Sequence, residues 1–283
     1  EANPDDLNKD YISMLARQGV NRLSIGVQSF FDEDLVFMNR SHTSNQAKNV
    51  IEMAQQEGIS NLSVDLIFGY NLLSDEKLNA NLQELIDRNV PHISCYAMTV
   101  EPRTALAHMI RTKQIQEVNP EQSARQFELV SQRLQEAGYE HYEISNYGKP
   151  GLHSVHNSNY WKGVSYLGLG PSAHSFDGVS RRWNVANNQH YIQRIGANEV
   201  TYEEEVLSRT QQVNECIMIS LRLKEGIDSN KLKSLMTADE WIHFEHKCDE
   251  FILQKNIIRD NNFIQLTANG QLFADFIASE LFL

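Results

Sequence analysis

The feature that most constrains the fold is an alternation of short apolar runs with amphipathic helical segments in the first half of the chain. Apolar runs of this length that alternate with helices are typical of a parallel sheet covered by helices. The pattern predicts an α/β fold, and by itself it fits either an incomplete TIM-like barrel or an open doubly wound sheet. Ser44 is the expected N-cap of the first helix in this series. The predicted strands and helices are, in chain order, 22–27, 44–57, 62–68, 76–89, 92–98 and 120–136.

The pattern changes twice beyond residue 138. Residues 139–200 are rich in Gly, Asn, His, Tyr and Trp, and they are predicted to form long ordered loops with short strands. From about residue 203, three helical segments, a hairpin at 257–266 and a final helix after Thr267 resemble a winged-helix module. We therefore predict one domain at 1–200, with a loop-rich C-terminal extension, and a small α+β domain at 201–283.

Charge and cysteine usage narrow the possible functions. The net charge is −12, and residues 203–283 carry 8 Lys plus Arg against 14 Asp plus Glu. Because nucleic-acid affinity comes from neutralising phosphates, no nucleic-acid partner is expected, and a winged-helix nucleic-acid binder is a disfavoured alternative. Cys95, Cys216 and Cys248 are scattered and expected to be buried, which suits a reducing compartment and predicts a cytoplasmic location.

Six short motifs follow one another along the whole chain. They are RLSIGVQSF at 22–30, RSH at 40–42, SVDLIFG at 63–69, YEISN at 142–146, HNSNYW at 156–161 and YLGLGPSAHS at 166–175. In this order they resemble the motifs of radical S-adenosylmethionine (SAM) proteins of the heme-chaperone and coproporphyrinogen III oxidase-like family, over residues 1–283. The chain departs from the family pattern after the third motif, where Tyr70-Asn71 replaces the usual Leu-Pro, and Tyr70 is expected to narrow the mouth of the barrel.

The resemblance implies an incomplete radical SAM barrel followed by an acidic winged-helix-like domain. It also implies SAM and a [4Fe–4S] cluster as cofactors of the intact protein, with SAM cleaved reductively to a 5′-deoxyadenosyl radical. Radical SAM chemistry needs three cysteines close together in sequence, and the three cysteines of this chain are far apart. Because the residues from Glu1 onward resemble the end of a strand and a turn, we expect the cluster-binding cysteines upstream, and we expect these 283 residues alone to be inactive.

The resemblance leaves two related functions open. The HNSNYW motif favours a heme chaperone that binds heme and inserts it into respiratory enzymes. The alternative is an oxygen-independent coproporphyrinogen III oxidase of porphyrin biosynthesis. Heme or a porphyrin is the expected ligand, and a heme-receiving respiratory protein is the expected partner. A barrel without its first strands would expose an edge near residues 22–27, so we expect either self-association or a rearranged N-terminus that covers the gap.

Four residues match the SAM-contacting positions implied by the resemblance, namely Glu1, Gln28, Arg40 and Asp65. A carboxylate can accept hydrogen bonds from the ribose hydroxyls or the ammonium group of SAM. The planar guanidinium of arginine suits the methionine carboxylate. Structural alternatives remain open, since Asp65 could fix a neighbouring loop and Arg40 could form a surface ion pair.

Five residues are candidates for contacts with heme or a porphyrin, and they are His156, Asn157, Tyr160, Trp161 and His174. Imidazole is a common axial ligand of heme iron, and the rings of Tyr160 and Trp161 could stack on a porphyrin. A structural role is the alternative, in which His156 and Asn157 satisfy backbone groups in an ordered loop. His243 and His246 lie three residues apart on a predicted helix without a completing ligand.

Overall fold

A computed structural model describes residues 1–283 and divides them into two compact units, Glu1–Ser154 and Val155–Leu283. The predicted α/β class is confirmed. The predicted division at residue 200 followed the change in sequence pattern and stays a prediction. No helix is long and apolar enough to cross a membrane.

The first unit is built on a five-stranded sheet. Three strands are parallel, and a short antiparallel pair extends the sheet beyond the third, giving the order β1-β2-β3-β5-β4. The parallel arrangement aligns the carboxyl ends of the first three strands at one edge of the sheet. The strands are β1 Arg22–Gln28, β2 Asn61–Phe68, β3 His92–Ala97, β4 Glu140–Glu143 and β5 Asn146–Gly148.

Six helices accompany this sheet, and the longer ones bury apolar stripes against it. In the long helix before β4, Val130 and Leu134 are buried and Phe127 packs on the same core, as the spacing predicts. The N-cap of the helix that begins at Ser44 is Thr43, and not Ser44 as predicted. The Thr43 side chain accepts a hydrogen bond from the backbone amide of Gln46. The helices are α1 Lys9–Arg17, α2 Asp32–Phe37, α3 Ser44–Gln56, α4 Asp75–Asp87, α5 Ala105–Arg111 and α6 Pro120–Glu136.

The first residues of the chain lie beside the outer edge of β1. The amide of Ala2 donates to the carbonyl of Ser24 at 2.9 Å, and the amide of Gly26 donates to the carbonyl of Ala2 at 3.1 Å. A 3-10 helix, Pro4–Asp6, follows at once. This arrangement matches the predicted strand end and turn, and it covers the edge of β1 around Ile25.

The second unit begins with a segment of small, exposed elements. It contains a three-stranded antiparallel sheet in the order β6-β7-β8, with one short helix before the sheet and another between its second and third strands. Of residues 155–206, only Ser180 is buried, so hydrogen bonds and ring contacts contribute more to this segment than an apolar core. Its elements are α7 Val155–Trp161, β6 His174–Phe176, β7 Ser180–Asn184, α8 Asn188–Gly196 and β8 Tyr202–Val206.

The remainder of the second unit has the element order of a winged helix, as predicted. Its core holds Phe244, Ile217 and Leu232, and its sheet has the order β10-β11-β9. The final helix predicted after Thr267 is divided into two short helices. The elements are α9 Arg209–Leu221, β9 Ile227–Asp228, α10 Ser229–Leu235, α11 Ala238–Leu253, β10 Ile257–Asp260, β11 Phe263–Leu266, α12 Ala268–Gln271 and α13 Ala274–Glu280.

Candidate functional site

The four residues proposed to contact SAM lie together in the first unit. Glu1, Gln28, Arg40 and Asp65 all line a cavity of about 340 Å³ at the carboxyl ends of β1 and β2. They come from four separate stretches of chain. The parallel pairing of β1 and β2 brings Gln28 and Asp65 together, while hydrogen bonds to the backbone of β1 place Arg40 and the chain start beside them. Ligand sites in sheets of this kind form at that edge. The structure therefore makes one polar cavity from the four predicted residues.

Backbone geometry at the end of β1 allows this convergence. Gln28 has a φ of 71° and ends the strand, and the register with β2 shifts between Ile25 and Gln28. A Cβ atom at Gly26 would lie 3.0 Å from Nε2 of Gln28 and 3.3 Å from Nη2 of Arg40. Glycine at this position therefore leaves room for the two polar side chains to approach the strand.

The RSH motif fixes the segment that carries Arg40. Nη2 of Arg40 donates to Oδ1 of Asn3 at 2.6 Å and to the carbonyl oxygen of Gly26 at 3.0 Å. The hydroxyl of Ser41 donates to Asp5 at 2.7 Å, and Nε2 of the buried His42 lies 2.9 Å from the carbonyl oxygen of Val27. The Arg40 guanidinium is thus held between the chain start and β1. Its partners are an amide oxygen and a backbone carbonyl, whereas the alternative of a surface ion pair would need a carboxylate partner.

Asp65 is the most perturbed carboxyl group of this cavity. Burial raises its pKa to about 6, and the charge of Glu1 acts in the same direction. A hydrogen bond from Ser94 and the charges of Arg40 and Arg22 oppose the rise. Asp65 is therefore a functional-site candidate, because burial disfavours its charged form, two arginines lie nearby and the residue lines a cavity.

A larger, mainly apolar chamber adjoins the polar cavity. Its volume is about 870 Å³, and Gln28, Arg40 and Asp65 line both spaces. Sequence reasoning missed this chamber because much of its lining comes from loops after β1 and β3 and from α5. Tyr70 is fully buried and stacks on Phe37 with 5.8 Å between ring centroids, so the expectation that it narrows the mouth is wrong. The apolar lining includes Val36, Met38, Ile67, Met98, Leu106 and Met109.

The cysteines do not fit an iron–sulfur cluster. Cys95 is buried in β3, while Cys216 and Cys248 are buried in α9 and α11 of the other unit. Burial raises the pKa of the Cys248 thiol to about 12 and raises the pKa values of Cys95 and Cys216 as well, which disfavours the thiolate form that binds iron. No group of three potential ligands in residues 1–283 has the arrangement of a metal site.

Two of the five heme candidates, His156 and Tyr160, meet on α7 and begin a row of rings in the second unit. His156 contacts Tyr160 edge to face at 4.8 Å between ring centroids, and Tyr160 contacts Tyr166 in the same way at 4.7 Å. Tyr166 lies 6.2 Å from Phe176 of β6 and pairs with it through the backbone. The segment predicted as a loop around His156 is therefore a short helix packed on a small sheet.

His174 lies on the same side of that sheet as the row of rings. Directly opposed residues of antiparallel strands point to one face, and His174 opposes Trp183 while Phe176 opposes Arg181. The rings of His174 and Trp183 are 6.4 Å apart. We call the surface formed by His156, Tyr160, Tyr166, His174, Phe176 and Trp183 the aromatic face.

Trp161 and Asn157 lie elsewhere on α7. The Trp161 ring lies under the guanidinium of Arg222 at 5.2 Å, and Arg222 donates to Asp275 at 3.0 Å. Trp161 thus packs against the end of α9, and the structure does not bring it to the aromatic face with Tyr160. Asn157 is half-buried and engaged with other groups of the protein.

Comparison with known proteins places the chain among radical SAM proteins. The model of the radical SAM superfamily matches residues 1–85, and the model of the HemN C-terminal domain matches residues 207–273. The solved structure of the radical SAM enzyme coproporphyrinogen III oxidase (HemN) from Escherichia coli superposes with a TM-score of 0.79 at 20% identity, over 99% of this chain and 68% of that one. At this identity the likeness establishes the fold.

Curated relatives narrow the class. The heme chaperone HemW of Lactococcus lactis is 30% identical over 95% of this chain and 71% of its own length. HemW of Escherichia coli is 32% identical over 100% of this chain and 74% of its own length, and HemW of Bacillus subtilis is 33% identical over 82% and 61%. The chain belongs to the HemW family of radical SAM proteins. SAM and a [4Fe–4S] cluster are the cofactors that this family implies.

Proposed function

We propose that this protein is a heme chaperone and that it binds heme on the aromatic face. The observation that carries the proposal is the convergence of His156, Tyr160 and His174 with three further rings on one surface of the second unit. The recipient expected from the family resemblance is a respiratory enzyme. The relatives that support this function are named heme chaperones.

The chemistry of the aromatic face suits a flat apolar ligand with a central metal. His156 is exposed at one end of the row and Tyr160 is 42% exposed, so an imidazole nitrogen and a ring are accessible from solvent. Imidazole ligates heme iron, and rings arranged edge to face offer aromatic contact to a porphyrin.

A hemin titration of the purified protein tests the proposal. His156→Ala should weaken binding by at least about tenfold and shift the Soret band, because loss of an axial bond exceeds loss of one ring contact, worth about 0.5–1.5 kcal/mol. His243→Ala is the matched control, since His243 is an exposed histidine of α11 in the same unit. If both variants bind and absorb like the parent protein, the aromatic face is not the heme site.

We also propose that the polar cavity of the first unit holds SAM. Arg40 would bind the methionine carboxylate, and Asp65, Glu1 and Gln28 would bind the ammonium and ribose hydroxyl groups. The anchored guanidinium and the two carboxylates supply the charges that SAM requires. When bound with its cluster, SAM supplies the radical chemistry of the superfamily, and the residues of this chain orient it.

Equilibrium dialysis with SAM tests this assignment. Arg40→Ala should weaken binding by about 10- to 100-fold, since hydrogen bonds to charged groups are worth about 1.5–3 kcal/mol. Arg17→Ala removes a cation from the exposed end of α1 and should leave SAM binding unchanged. Equal affinities of the two variants would show that the guanidinium of Arg40 only ties the chain start to β1.

The apolar chamber supports a second candidate, an oxidase-like role on a porphyrinogen. A tetrapyrrole in the chamber would lie against the residues Gln28, Arg40 and Asp65 that it shares with the polar cavity. Under this alternative, Met109→Trp, which fills the chamber from α5, should reduce tetrapyrrole binding, while His156→Ala should not. The heme chaperone reading predicts the reverse order.

A further inference from the structure

An arginine extends the aromatic face beyond its rings. Arg181 of β7 stands opposite Phe176, and its guanidinium lies 5.9 Å from the centre of that ring. Phe176 is the last ring of the row that starts at His156. A positive group therefore lies at one end of the row and an imidazole at the other.

The electrostatic surroundings make this cation distinctive. The next strand places Glu205 opposite Arg181 and Glu203 opposite Trp183, on the same face of the sheet. Arg181 also forms an ion pair with Glu215 of α9. In a chain of net charge −12, and beside Glu203 and Glu205, Arg181 is the arginine on this face that can attract an anionic ligand.

We propose that Arg181 recognises the propionate carboxylates of the tetrapyrrole bound on the aromatic face. The inference rests on the proposed heme-binding function and names the polar group that orients the ring. A guanidinium can form two parallel hydrogen bonds with a carboxylate, so a propionate can replace Glu215 as its partner. Arg181 is 40% exposed in its side chain and Glu215 is 20% exposed, so the ligand has access to the arginine side of the pair.

The adjacent residue provides a matched control. Arg182 follows Arg181 on β7 and therefore points to the opposite face of the sheet. It donates to Glu204 at 2.6 Å and lies 4.9 Å from the ring of Tyr202. It has the same charge, strand and secondary structure as Arg181, but it does not lie beside the row of rings.

The test compares hemin with hemin dimethyl ester, in which the propionates carry no charge. The parent protein should bind hemin about tenfold or more tightly than the ester, because the charge-assisted hydrogen bonds are absent in the ester. Arg181→Gln should abolish this preference and leave binding of the ester nearly unchanged. Arg182→Gln should retain the preference of the parent protein.

Glu215→Gln is a second variant that keeps the arginine in place. It removes the competing carboxylate, so its affinity for hemin should rise while its affinity for the ester stays the same. A hemin-to-ester ratio in Arg181→Gln equal to that of the parent protein would overturn the inference, as would equal binding of both ligands by the parent. If the parent protein binds no hemin, both the proposed heme-binding function and the role of Arg181 are wrong. If Arg181→Gln has no effect but hemin binding still depends on His156, only the role of Arg181 is wrong.

Discussion

Replacing Asp65 by asparagine should stabilise the protein while it weakens SAM binding. Asp65 is a largely buried strand residue whose pKa is raised to about 6 from an ordinary value of 3.8, mainly by burial. A carboxyl group with a higher pKa in the folded protein than in the unfolded chain destabilises the fold once it ionises. The cost is absent below about pH 4 and fully present above about pH 6.

The size of the effect follows from the same two pKa values. A rise from 3.8 to about 6 corresponds to about 3 kcal/mol at neutral pH. The asparagine variant avoids the ionisation cost and can still accept a hydrogen bond from Ser94. We expect its free energy of unfolding to exceed that of the parent by up to about 3 kcal/mol at pH 7, and by about 1 kcal/mol less at pH 5.

Urea unfolding between pH 5 and pH 8, followed by circular dichroism, measures the difference. Asp75→Asn is the control with the opposite sign, because hydrogen bonds from Arg125 lower the pKa of Asp75 in the same unit. That variant should be less stable than the parent at neutral pH. A stability gain of Asp65→Asn that does not change with pH, or a loss at pH 7, would refute the electrostatic reasoning.

Three further predictions concern other parts of the chain. Asp34→Ala should cost about 1–3 kcal/mol in urea unfolding, because it removes a fully buried carboxylate that accepts hydrogen bonds from Lys77 and Ser29, while Lys77 keeps Glu33 as a partner. Glu204→Ala should cost less than about 1 kcal/mol because its pair with Arg182 is exposed. Anaerobic reconstitution of these 283 residues should yield no stoichiometric iron and sulfide, and a cluster absorption band would contradict this. The first residues cover the edge of β1 only around Ile25, so sedimentation velocity should show self-association through the rest of that edge, and a strictly monomeric protein would contradict this prediction.

The polar cavity was predictable from sequence because the carboxyl ends of parallel strands share one edge of a sheet. Gln28 ends β1 and Asp65 lies on β2, so recognising the strands was enough to place both near one edge. The apolar chamber was not predictable in the same way. Met98 and Met109 reach it from irregular chain after β3 and from α5, whose position no local pattern determines.

For the heme candidates, the sequence showed the residue types but not their positions in space. The motif at 156–161 was visible as a string of residue types, but its division between two surfaces depends on the helix that it forms. In α7, His156 and Tyr160 are four residues apart and share a side, whereas Trp161 is turned by about 100° from its neighbour Tyr160. Because the motif was predicted to be a loop, the sequence could not show that Tyr160 lies on the aromatic face while Trp161 packs against Arg222.

The position of Arg181 follows from register, which the sequence did not reveal. A shift of one residue between β6 and β7 would turn Arg181 away from Phe176 and bring Arg182 to the aromatic face. Asp177 sets that register, because its carboxylate accepts from the amides of Val179 and Ser180 in the turn between the strands, and these hydrogen bonds lower its pKa to about 2. The turn therefore selects which arginine joins the rings. In a segment with almost no buried core, this local hydrogen bonding determines which side chains share a face with the rings.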